Sequence, residues 1–257
     1  KLQRQGGVAI LRLDDPGTMN ALSPAVKAGM IKHVPAVLAD DSVRCIVLTG
    51  TGKAFCAGGD IRSMRDPEQR KAPAVRKRMK YGGHAWSRAL LDCDKPIICA
   101  VNGAAVGGGL AMTLLGDIVF ASSEAYFMGG YAKLGALPDL GLLQTLVWAV
   151  GSLRAKEIIF LNRRISAEEA AAIGLANRVL APDKLMEEAL KAAHEIADGP
   201  AAMMAMSKEL MKRAYEASVE AFHDSEAIAQ AICFGSAEFD EGVDAFLNKR
   251  KARFVKR

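Results

Sequence analysis

The chain has 257 residues, 51% of them apolar and 25% charged, with a net charge of +5. That is ample for one large folded domain. No long Lys/Arg block occurs before the last few residues, so nucleic acid is not the leading partner, while the modest positive balance suits a ligand that carries phosphates.

Cysteine and histidine usage narrows the class further. Cys45, Cys56, Cys93, Cys99 and Cys233 are odd in number and scattered, with no C-x-x-C, and His33, His84, His194 and His223 show no ligand spacing. This argues against a disulfide framework or a metal site and for a reducing, cytoplasmic compartment. The first residue is Lys1, which keeps a removed targeting segment open as an alternative.

Residues 7–13 read as a first strand, closed by Asp14-Asp15-Pro16-Gly17. Residues 20–38 read as an amphipathic helix, with Ser23 as N-cap and Pro24 at its first position. Residues 43–49 are apolar apart from Arg44 and Thr49 and read as a buried strand. They open into Gly50-Thr51-Gly52-Lys53-Ala54-Phe55-Cys56-Ala57-Gly58-Gly59-Asp60-Ile61, a glycine-rich loop ending at an Asp able to start a helix. Residues 62–80 are charged and broken by Pro67 and Pro73, a surface segment of the kind that covers a pocket. A helix follows over 81–91.

Between Lys95 and Asp117 there is not one charged side chain. Pro96-Ile97-Ile98-Cys99-Ala100-Val101 reads as a buried strand, Asn102-Gly103 as a turn, and residues 110–115 as a buried helix after Gly107-Gly108-Gly109. A membrane span has about this length, but four glycines and an Asn sit in its middle. A nucleotide-binding loop is the weaker alternative, because no Gly-Lys-Ser/Thr ending of a P-loop is present. Tight packing of a helix on a sheet remains a competing reason for the glycines. A strand that ends in bare glycine before a helix also leaves backbone N–H groups free, a setting for an anion or a developing negative oxygen. The loop at 50–61 has the same character. Two such loops suggest a pair of amide donors holding one oxygen.

Residues 118–121 and 126–128 read as short strands, and 129–139 as a long glycine-spaced loop. Helices are expected over 140–150, 152–161, 166–173 and 183–197, with Ser166-Ala167-Glu168-Glu169 close to a capping box and Arg178-Val179-Leu180 a strand between them. From Pro200 onward nearly everything reads as amphipathic helix. Its Met203, Met204, Met206 and Met211 read as core or subunit contact rather than a cofactor box. Strand–helix alternation with a helical tail defines an α/β fold, divided at 1–197 and 198–257.

The motifs Asn20-Ala21-Leu22-Ser23, Ile46-Val47-Leu48-Thr49-Gly50, Gly52-Lys53-Ala54-Phe55-Cys56-Ala57-Gly58-Gly59-Asp60-Ile61, Ala100-Val101-Asn102-Gly103, Val106-Gly107-Gly108-Gly109, Arg164-Ile165-Ser166-Ala167-Glu168-Glu169 and Ala245-Phe246-Leu247-Asn248-Lys249 stand in one order over nearly the whole chain. In that order they resemble the crotonase superfamily of enoyl-CoA hydratases and isomerases. The resemblance implies a spiral of ββα units with a C-terminal helical region that makes trimers, often hexamers, and an acyl-CoA thioester substrate. No separate cofactor is implied, coenzyme A being part of the substrate. It implies an oxyanion hole from the N–H groups of Gly59 and Gly108, an adenine pocket at Ala57, Gly58, Asp60 and Ile61, and coenzyme A contacts at Thr18 and Met19. Arg62 falls where a phosphate partner is plausible. Phe246 and Lys249 fall where a C-terminal helix, usually a neighbour's, meets the nucleotide.

The chain departs from the hydratase pattern at both catalytic glutamates: Ala111 and Tyr131 stand there, positions from which they shape the acyl pocket. One carboxylate remains nearby, Asp139 in Ala132-Lys133-Leu134-Gly135-Ala136-Leu137-Pro138-Asp139, a stretch that resembles the isomerase branch. A single carboxylate suffices to move a proton between two carbons, whereas hydration calls for two. The alternative for Asp139 is a helix cap. The expected function is a double-bond or ring isomerase; the alternatives are an enoyl-CoA hydratase and an inactive acyl-CoA-binding protein.

Overall fold

The computed structural model describes residues 1–255, without the side chain of Met64. The chain is wound by one repeated move: a strand enters a larger sheet, the backbone turns, and the next strand enters a smaller one. β1 (Leu2–Gln5) and β2 (Val8–Leu13) precede α1 (Pro24–Leu38). Then β3 (Cys45–Gly50) is followed by β4 (Ala54–Cys56), β5 (Ile97–Val101) by β6 (Ala104–Val106), and β7 (Ile118–Ser122) by β8 (Tyr126–Met128). Between them lie α2 (Ala72–Arg78), α3 (His84–Leu91) and α4 (Gly108–Thr113). After α5 (Leu142–Leu161), β9 (Ile165–Ser166), α6 (Ala167–Ala172) and β10 (Arg178–Leu180), the chain is helical: α7 (Leu185–Ala197), α8 (Ala201–Arg213), α9 (Val219–Phe234) and α10 (Ala237–Leu247). The larger sheet has the order β1-β2-β3-β5-β7-β10, and the smaller one β4-β6-β8-β9. Only β1 and β9 run antiparallel to their neighbours. This is the ββα spiral with a helical C-terminal region that the resemblance implies.

The larger sheet is covered on both faces, which is why β3 and β5 are apolar without alternation. Ala9, Leu11, Ile46, Leu48, Ile97, Cys99 and Val101 face a core shared with α1, α3, α4, α5 and the smaller sheet. Their neighbours Val8, Ile10, Cys45, Val47, Ile98 and Ala100 face α7 through Leu185, Ala189, Ala193 and Ala197. The four-residue spacing of these small side chains gives α7 one narrow stripe that lies close to the strands.

Several boundaries differ from expectation, each for a local reason. β1 carries three exposed residues in four, so it offers no apolar period to read. α1 starts at Pro24 rather than residue 20, because Met19 and Asn20 take left-handed backbone (φ 55° and 56°). Ser23 caps it as expected, its Oγ accepting from the Val26 amide at 3.3 Å. α3 is shortened to His84 by a π-turn over Met79–Gly83, and α4 runs from Gly108 to Thr113, two residues early at each end. α5 begins at Leu142 after left-handed Leu140 and Gly141. The two helices expected on either side of Gly151 form one run with a break there (φ 77°, ψ 162°). The methionines of α8 are not core: no residue of α8 is fully buried, and Met203, Met204 and Met211 line a chamber of about 1130 Å³ between α8, the end of α3, the turn after α4 and α5.

The proposed division at 197/198 falls on a fastened joint. Arg44 donates from Nε to the Ala197 carbonyl at 2.7 Å and from Nη2 to the Gly199 carbonyl at 2.5 Å, closing the end of α7 with a positive charge. Glu238 of α10 lies 3.6 Å from Arg44, and its carboxylate accepts from the Ala201 and Ala202 amides at 3.0 Å each, capping α8. Among the described residues no helix is long and apolar enough to cross a membrane, and no group of three metal-ligating side chains occurs.

Candidate active site

The smaller sheet positions the site. β4, β6 and β8 are parallel neighbours, with Cys56 beside Ala105, and Ala105 and Val106 beside Phe127 and Met128. Parallel neighbours end on the same side, so the loops at 57–60, 107–109 and 129–139 leave one edge together. Segments some fifty residues apart in sequence thereby become adjacent.

The first two loops touch through bare backbone. A Cβ on Gly58 (φ 91°) would stand 2.6 Å from the Val106 carbonyl oxygen and 3.3 Å from the Gly108 nitrogen. A Cβ on Gly109 would stand 2.0 Å from the Cys56 carbonyl oxygen. Only glycine fits either position. The groups around Gly59 are already engaged: the Ala57 amide donates to the Met19 carbonyl at 3.0 Å and the Leu22 amide to the Gly58 carbonyl at 2.7 Å. The amides of Gly59 and Gly108 donate to no group among the described residues. Gly108 is moreover the first residue of α4, so the positive end of that helix stands behind its N–H.

Asn20 escaped the sequence reading. It is fully buried, accepts from the Asp15 amide at 2.9 Å, and donates to the carbonyls of Thr51 at 2.9 Å and Ala54 at 2.8 Å. It thus ties the 15–22 loop to the glycine loop after β3. Its place in Asn20-Ala21-Leu22-Ser23 was the available signal.

Asp139 caps nothing. The N-cap of α5 is Gly141, which has no side chain, and the Asp139 carboxylate instead accepts from the Tyr131 hydroxyl at 2.8 Å. Tyr131 is therefore more than a wall of the pocket. Its ring lies 3.8 Å from where a Cβ on Gly107 would stand, so the pair sits against the second glycine loop. Burial raises the Tyr131 phenol pKa, and the charge of Asp139 adds to the rise, so Tyr131 stays a neutral donor. Lys27 of α1 is half-buried. Desolvation lowers its pKa and Arg78 contributes in the same direction, while the charges of Asp60 and Asp139 oppose both. Cys56, pushed up to about 12 by burial, is no nucleophile.

The remaining candidates divide by location. Thr18 spends its hydroxyl on the Asp15 carbonyl at 3.1 Å, and Met19 is exposed beside Ala57. Asp60 accepts from the Arg62 amide at 3.1 Å and starts a short 3₁₀ turn, with Ile61 and Arg62 exposed. Ala111 is fully buried in the core face of α4, offering a methyl group and no base. Phe246 is 83% exposed at the end of α10 and Lys249 is exposed just beyond it, so the single chain does not pack Phe246 against the glycine loops. Asp117 is structural, holding the Ile97 amide at 2.7 Å and Lys208 at 2.9 Å.

The family model for enoyl-CoA hydratase/isomerase matches residues 3–257. The chain is 33% identical over 249 residues to the 1,2-epoxyphenylacetyl-CoA isomerase of Escherichia coli, covering 97% of this chain and 95% of that protein. It is also 33% identical to the short-chain-enoyl-CoA hydratase of Clostridium acetobutylicum over 253 residues, with 97% and 95% covered. Among solved structures, an enoyl-CoA hydratase from a Polaromonas species superposes with a TM-score of 0.92 at 32% identity, covering 98% of each chain. The chain belongs to the crotonase superfamily, the enoyl-CoA hydratase/isomerase family.

Proposed function

We propose that this chain is an isomerase that shifts a double bond, or rearranges a ring, in an acyl-CoA thioester. The thioester oxygen would sit between the N–H groups of Gly59 and Gly108, each worth roughly 3 kcal/mol to a developing oxyanion. Asp139 would take a proton from the acyl chain as the carbonyl electrons move onto that oxygen. The protonated Asp139, open to exchange with solvent, then returns a proton to a different carbon as the enolate collapses. No water enters and no carboxylate beyond Asp139 is required. Tyr131 holds the carboxylate in place. Coenzyme A would lie along Thr18, Met19, Ala57, Gly58, Asp60, Ile61 and Arg62. Phe246 and Lys249 would come from a neighbouring subunit of a homotrimer or hexamer, in the cytoplasm and without a further cofactor.

The Tyr131–Asp139 contact carries this reading: Asp60 beside the first glycine loop is spent on the Arg62 amide, whereas Asp139 beside the second is free of capping duty and accepts from a neutral donor. Hydration is the runner-up, and buried Ala111 counts against it because it supplies no second base. The test is proton exchange from deuterated water into a set of acyl-CoA esters, with product analysis, for the wild type and Asp139→Asn. Isomerised product that falls at least about a hundredfold in the variant supports the proposal. Hydrated product, or full activity in the variant, overturns it. Binding with neither exchange nor any product indicates an inactive acyl-CoA-binding protein.

A further inference from the structure

Leu140, the residue after Asp139, occupies left-handed backbone (φ 55°), an unfavourable conformation for a bulky side chain. That side chain is 3% exposed. One methyl lies 3.8 Å from where a Cβ on Gly108 would stand, and the other 2.9 Å from where a Cβ on Gly83 would stand. Leu140 is therefore wedged between the start of α4 and the turn before α3. It also lines a groove of about 680 Å³ along α3, together with His84, Ala85, Ala89, Leu91 and Gly141. That groove adjoins the chamber of about 1130 Å³ beneath α8, since Arg88, Leu91 and Asp92 line both. Leu114, Leu115, Trp148, Met203 and Met204 supply much of the chamber's apolar wall.

We propose that Leu140 sets the length of acyl chain the enzyme accepts, by plugging the way from the Gly108 amide into the groove along α3. This rests on the reading that the site takes a CoA thioester. A chain held by its thioester at Gly59 and Gly108 and running toward α3 meets the Leu140 side chain after a few carbons. The substrates are then short-chain acyl-CoA esters, and the apolar space beyond stays out of reach while the plug is in place. The strained backbone aims the side chain at Gly108 and Gly83 together, so the position acts through shape and takes no part in proton transfer.

The test is calorimetric binding of butanoyl-CoA and dodecanoyl-CoA to the wild type, Leu140→Ala and Leu140→Gly. The glycine variant tolerates the left-handed backbone and guards against failure of the alanine variant to fold. The wild type should favour butanoyl-CoA. Truncation should raise the affinity for dodecanoyl-CoA relative to butanoyl-CoA by roughly tenfold or more, as several methylenes leave water. Adding Ala85→Phe, which refills the groove, should restore the original preference. An unchanged ratio in both truncations, with butanoyl-CoA still bound, overturns the role of Leu140 alone. Failure of the wild type to bind either ester overturns the thioester reading, and this proposal with it.

Discussion

Tyr131 shows how one side chain fixes the state of another. Its phenol is held neutral by burial and by the charge beside it, so it donates to Asp139 wherever that carboxylate is ionised. The sign of the stability effect follows. A phenol whose folded pKa lies above the unfolded value near ~10 contributes stability that is complete below that pH and is lost as pH rises past it. Tyr131→Phe should therefore remove part of the alkaline fall in unfolding midpoint above about pH 10. It should also lower kcat by about tenfold with little change in KM, because Asp139 loses its orientation rather than its chemistry. Melting curves against pH and steady-state kinetics check both. This contact was not legible in the sequence: it spans eight residues of irregular loop, and nothing in the residue pattern says that the loop folds back on itself. Asn20 was hidden for a related reason, since its partners Thr51 and Ala54 lie 31 and 34 residues away. The Ser23 and Ser166 caps, by contrast, are contacts across three residues and were readable from the chain alone.

At the scale of elements, the site depends on β4 and β6 being parallel neighbours whose following loops meet without side chains between them. Gly109→Ala would place a methyl 2.0 Å from the Cys56 carbonyl oxygen and push the two loops apart. The expected result is loss of stability by about 2 kcal/mol or more, and loss of nearly all exchange activity. Gly17→Ala, at a glycine with open space around it, should leave both unchanged. Thermal unfolding and the deuterium exchange assay measure the contrast. The longer strands β3 and β5, and β10, were readable from composition within a few residues, whereas β4 falls inside the stretch read as a glycine-rich loop and the three-residue β6 follows a turn with too few residues to show a period. The start of α5 was not, because Leu140 and Gly141 adopt left-handed backbone for tertiary reasons.

For the whole molecule, the exposed apolar residues are concentrated toward the C-terminal half. Val219, Ile228, Ile232 and Phe234 on α9, Phe246 and Leu247 on α10, and Leu153 and Phe160 on α5 are all more than half exposed in the single chain. A surface of this kind suits a contact with another subunit, and on the proposed reading trimer formation is the expected outcome. Sedimentation should give a particle of three 27.4 kDa chains, and Phe246→Asp should shift it toward the monomer and weaken coenzyme A binding together. A wild-type monomer would remove the trimer and the shared nucleotide contact at once.

The common edge of β4, β6 and β8 has one more consequence. Each of the three strands delivers its own loop to the same small volume, one bringing Gly59, the next Gly108 and the third Tyr131 and Asp139. On the proposed reading, the part that would polarise the carbonyl and the part that would handle the proton are thus carried on separate pieces of chain. A lineage that keeps the two glycine turns is free to rewrite the third, trading one carbon-acid reaction for another without rebuilding the frame that makes such reactions feasible.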